Sequence, residues 1–114
     1  MAKVGRFVTD PKAGAYCQVK FDNGEKIVVN HDKGGFHGGR LTIEVPKLLG
    51  LSSDRIFSCD LERAEGQAAL AQLTHEARPE TAEATPLGAL VKYVSDCASV
   101  DEVKRRCAQL MSTP

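Results

Sequence analysis

Apolar and polar residues alternate every second position through most of the first sixty residues and recur every third or fourth position after that, so strands are expected first and helices after them. In the stretch AYCQVKF, Tyr16, Gln18 and Lys20 point one way and Cys17, Val19 and Phe21 the other, which marks a half-buried strand. KVGRFVT, with Val4 and Val8 around Phe7, predicts a strand before it, and DPKAG a turn between the two. Asn23-Gly24 within DNGE predicts a type I′ hairpin turn, because both central residues of that turn need positive φ. KIVVN continues the hairpin. LTIEV then sets Leu41, Ile43 and Val45 on one face. Pro46 predicts the start of a single helical turn, PKLLG, ended by Gly50 ahead of a fifth strand, DRIFSCDL.

Beyond Leu61 the period changes. ERAEGQAALAQL places Ala69, Leu70 and Leu73 on one helical face, with Gly66 weakening it. Residues 75–85 are rich in Pro, Glu and Ala with no large apolar side chain, and read as a linker or mobile loop. Thr85 and Pro86 then predict a helix start, and Leu87, Leu90, Val91, Val94 and Cys97 form its apolar stripe. Ser99 and Glu102 form a capping-box pattern that opens a last helix, with Val100, Val103, Cys107, Leu110 and Met111 on one face.

These elements predict an α+β chain. A small antiparallel five-stranded β-barrel over residues 1–61, SH3-like first and OB-like second, is followed by two or three C-terminal helices over residues 62–114 that pack on it. Closure of the barrel would remove exposed strand edges.

A chain of 114 residues fits one domain and can bury a core without disulfides or metal. The net charge is zero, which argues against a protein that holds nucleic acid by bulk charge. The charge is polarised, however. Residues 1–40 carry seven basic and four acidic side chains, net +3, and residues 62–85 carry two basic and five acidic ones, net −3. The four cysteines form no C-x-x-C pair and follow no secretory segment, so a cytoplasmic protein with reduced thiols is expected. No stretch approaches the roughly 20 apolar residues of a membrane span, and a membrane partner is not expected.

Candidate chemistry centres on KGGFHGGR, residues 33–40. Gly34 and Gly39 have P-loop spacing, but Arg40 and Leu41 stand where Lys and Ser or Thr belong, and the segment opens a strand rather than a helix. Nucleoside triphosphate binding is therefore rejected. Read more loosely, it is a basic-flanked loop with one aromatic. In that reading Phe36 stacks on a base, His31, Lys33, His37 and Arg40 contact phosphate, and Gly34 and Gly35 let the backbone come close. A plain hairpin loop is the competing and more ordinary reading. Zinc held by His31, His37, Cys17 and Cys59 lacks the close ligand pairs such sites use, and a Cys–His nucleophile lacks a third orienting group. No metal, cofactor or catalytic residue is assigned. A binding module is expected rather than an enzyme, with single-stranded nucleic acid as the first ligand class. The alternative is a protein adaptor or homodimer using Leu87, Leu90, Val91 and Val94.

Overall fold

In a computed structural model of the chain, residues 3–10, 14–32, 34, 38–47, 52–77 and 86–112 are described. Strands β1 (Lys3–Val4), β2 (Val8–Asp10), β3 (Gly14–Lys20), β4 (Lys26–Asp32), β5 (Arg40–Pro46) and β6 (Ser53–Asp60) precede helices α1 (Ala64–Ala77), α2 (Pro86–Val94) and α3 (Val100–Ser112). All strand pairs are antiparallel, in the order β1-β3-β4-β5-β6, with β2 also on β3. The expected first strand is thus split in two. The Gly5 N–H bonds the Gln18 carbonyl at 2.8 Å just beyond the β1 pairs.

The sheet does not close into a barrel. Among the described residues β6 pairs with β5 alone, and β1 and β2 with β3 alone. The helices bury the apolar face instead: α2 lies against β3 and β4, while α1 and α3 reach β6. With that face covered, closure is not needed to hide it, and an antiparallel sheet can leave its other face in water. One core runs through both layers, with Val19, Ile27, Val29, Leu41 and Ile43 from the sheet meeting Leu73, Leu90, Val94, Val103 and Leu110 from the helices.

The β3–β4 turn also differs from expectation. The Phe21 N–H bonds the Glu25 carbonyl at 2.8 Å and the Gly24 N–H bonds the Phe21 carbonyl at 3.0 Å, so the loop has three residues, with Gly24 at φ 92°. A two-residue turn at Asn23-Gly24 would set Val19 opposite Val28 and throw the apolar residues of the two strands onto opposite faces. The three-residue loop sets Val19 opposite Ile27 and Cys17 opposite Val29, all on the core side. Strand β5 runs through Pro46, which pairs with Ser53, so Pro46 belongs to the strand and not to a helical turn; residues 48–50 of PKLLG lie outside the described residues.

The serine half of the capping box forms, with Ser99 Oγ accepting the Glu102 N–H at 3.3 Å, while Glu102 Oε1 accepts the N–H of Ala98, one residue before the cap, at 3.3 Å. Glu25 adds a third contact that the sequence did not suggest. Its Oε1 accepts the Val100 N–H at 3.2 Å, so a carboxylate at the hairpin tip satisfies a free N–H at the start of α3. Arg106 does more than pair with acids on its own helix. Its guanidinium bonds the Tyr93 carbonyl at 3.0 Å near the end of α2 and also Asp96, while Tyr93 donates its hydroxyl proton to the Arg106 carbonyl at 3.0 Å. These bonds lock α2 to α3. Helix α1 continues through residues 75–77 of the expected linker, and residues 78–85 lie outside the described residues. No helix among the described residues is long and apolar enough to cross a membrane.

Candidate functional site

Of the seven loop residues singled out from the sequence, Lys33, Gly35, Phe36 and His37 lie outside the described residues. The other three gather where β4 ends and β5 begins. His31 sits on the core side of β4, 5% exposed, with Nε2 2.6 Å from the Gly38 carbonyl oxygen. That oxygen only accepts, so Nε2 carries the proton in this contact. The ring therefore ties the end of the loop to the sheet rather than facing a ligand. Gly38 and Gly39 hold φ of 114° and 81°, a backbone that other residues adopt only under strain. Through it the Gly39 N–H reaches Glu62 Oε2 at 2.9 Å, and the Gly39 carbonyl accepts the Leu61 N–H at 2.8 Å.

Arg40 lies 3.7 Å from Asp60, whose carboxylate also lies 3.6 Å from Arg63. Asp32 accepts the Gly34 N–H at 3.2 Å. Asp32, Gly34, Gly39, Arg40, Asp60 and Glu62 line a cleft of about 330 Å³. Among the described residues that line this cleft, three carboxylates stand with one guanidinium.

Comparison with protein-family models, with curated proteins and with solved structures finds no match.

The sheet face left bare by the helices carries the remaining chemistry. Along β3 it presents Tyr16, Gln18 and Lys20, and along β4 Lys26, Val28 and Asn30, paired as Tyr16–Asn30, Gln18–Val28 and Lys20–Lys26. Tyr16 is 43% exposed and lies opposite Val8, itself exposed on β2. Lys3 on β1 lies opposite Lys20, so three lysines stand side by side across three strands. Glu44, the acid of this face on β5, is turned toward Asn30 and Ser53, at 3.2 Å from each. The front half's basic character is thus concentrated at the end of the sheet opposite the glycine loop. Alternation in AYCQVKF already put Tyr16 and Lys20 together; the hairpin register that adds Lys26 depended on the true length of the turn.

The thiols offer no nucleophile. Cys17, Cys59, Cys97 and Cys107 are free and buried. Burial raises the pKa of each, that of Cys59 and Cys97 to about 11 and that of Cys107 to about 12. Iodoacetamide at neutral pH is expected to leave all four unmodified in the folded protein while labelling the urea-unfolded chain; rapid labelling of one folded thiol would contradict this. The same shifts fix a pH dependence. Because the folded thiols hold their protons more tightly than the ordinary value of 9.0, their contribution to stability is complete below pH 9 and is lost as pH rises toward 11 to 12. Urea midpoints should fall across that window.

Proposed function

We propose that this protein is a binding module that holds single-stranded nucleic acid on the bare face of its sheet. The observation that carries the reading is the exposed Tyr16 ring on a face that helices do not cover, with lysines further along the same strand pair. A base stacks on Tyr16, since every base has a π-face, and neighbouring cations hold the backbone. Tyr16 and Lys20 are four residues apart on one strand, about 13 Å, so both contacts fall within a short run of nucleotides. Arg40 borders the far end of this face beside the acidic cleft, and the strand runs away from that cleft toward the lysines. With a neutral chain, binding rests on a local patch and is sequence-tolerant and weak, with Kd of about 10⁻⁴ to 10⁻⁶ M.

Leu87, Leu90, Val91 and Val94 are all buried beneath the chain's own sheet. A partner role for them would require α2 to leave the core.

The test is fluorescence anisotropy with a labelled eight-nucleotide oligothymidylate at about 50 mM salt, a level at which phosphate contacts are strong. Tyr16→Leu keeps an apolar side chain on the strand and removes the ring. It should weaken binding about tenfold, since one stacked base is worth about 1–3 kcal/mol, and leave the melting temperature nearly unchanged. Equal affinity of the variant and the parent would overturn the stacking role, and absence of binding by the parent would overturn the proposal.

A further inference from the structure

Lys3 faces Lys20 and Lys20 faces Lys26 in directly opposed cross-strand positions. Like charges placed so are destabilising unless something lies between them. Among the described residues none of the three ammonium groups has a carboxylate within ion-pair distance. They are not on a flat surface either. Lys3, Gly5, Gln18, Lys20, Gly24 and Lys26 help to line a concavity of about 320 Å³, and among the described residues no acidic side chain lines it. This is the reverse of the cleft at the loop end, where three acids face one arginine. Gly5 and Gly24 stand at its rim, and a Cβ on Gly24 would meet nothing within 4 Å. Of the two acids on the hairpin tip, Glu25 is turned away, bonded to Asn23 at 2.6 Å and to the start of α3, and Asp22 is not among the residues that line the hollow.

We infer that this concavity is a binding site for a run of phosphate groups. Three flexible lysines around one hollow suit a compact polyanion, each ammonium acting as a point charge, whereas a planar carboxylate is better matched by the fork of arginine. The Gln18 side-chain amide, two residues from Lys20 along β3 and also lining the hollow, adds a neutral donor. Phosphates in the hollow neutralise the repulsion across β1, β3 and β4 and so tighten the short first strand. Taken with the function proposed above, on which this part rests, the phosphates are those of the strand whose base stacks on Tyr16. A free polyphosphate has the same chemistry and is the other source.

The experiment follows amide shifts of the full labelled chain with inorganic tripolyphosphate and, separately, with oligothymidylate, for the parent, Lys20→Gln and the surface control Lys104→Gln on α3. Both anions should shift the amides of Lys3, Gln18, Lys20, Gly24 and Lys26. Lys20→Gln should weaken both ligands several-fold where Lys104→Gln does not, and should reduce the salt slope for the oligonucleotide by about 0.7, the value of one lost phosphate contact. An unchanged shift pattern away from residue 20 shows that the variant is folded. Tripolyphosphate binding in the hollow without oligonucleotide binding supports the phosphate site and overturns the nucleic-acid function. Oligonucleotide shifts at Tyr16 with no shifts at the lysines, and equal behaviour of the two variants, overturn the phosphate site alone. No shift with either anion overturns both.

Discussion

Gly66→Ala is expected to destabilise the protein by about 3 kcal/mol, although in a bare helix the same change stabilises by about 1 kcal/mol. A Cβ on Gly66 would stand 1.8 Å from the Asp60 carbonyl oxygen and 2.5 Å from its carbon. Both atoms are backbone at the end of β6 and cannot swing aside. The chain turns sharply there: the Arg63 N–H bonds the Asp60 carbonyl at 3.1 Å, and the Gln67 side chain bonds the Leu61 carbonyl at 3.2 Å. Helix α1 therefore sits hard against the strand it follows. An added methyl must push it outward, loosening Ala69 and Leu73 from the core. Ala68→Gly, on the exposed side of the same helix, should cost only about 1 kcal/mol. Urea denaturation of the two variants tests the seat of the helix, and a Gly66→Ala protein more stable than the parent would show that α1 does not lie there.

Leu90→Ala should cost about 3 kcal/mol, within the usual range for emptying a buried leucine site. Leu90 is fully buried on α2, the helix that packs against β3, β4 and α1. Leu90→Glu should leave no folded protein, because an ionised carboxylate with no partner in the core exceeds the few kcal/mol that hold a domain of this size together. The reading of this stripe as a partner surface predicts the opposite: a folded variant of near-parental stability and altered mass. Circular dichroism with sedimentation separates them, and a folded Leu90→Glu protein would overturn the packing described above.

The two halves of the chain were legible to different degrees. Period-three spacing located α2 and the buried face of α3, and the Ser99–Glu102 pattern its cap, because helix signals are local. The strands were legible from alternation, but their assembly was not. Whether five strands close or lie open depends on what covers the apolar face, and that cover comes from residues far along the chain. Asn23-Gly24 suggested a two-residue turn, yet the apolar residues on either side demanded a register that only three loop residues provide. Gly66 read as a weakness in a helix and is a close contact between backbones. The glycine loop drew notice for its composition, but its described part is engaged in structure: His31 and Gly39 are bonded to the chain itself, and Arg40 stands among acids. The lysine row was hidden because its members are 17 and 6 residues apart in sequence and meet only through strand register.

The most direct test of the central claim is a map of where single-stranded nucleic acid touches the folded protein, read from amide shifts at about 50 and about 200 mM salt. Shifts are expected along Tyr16, Gln18 and Lys20 of β3 and Lys26, Val28 and Asn30 of β4, fading at the higher salt, with α1, α2 and α3 silent. Shifts confined to the helices, or none at either salt, would contradict it.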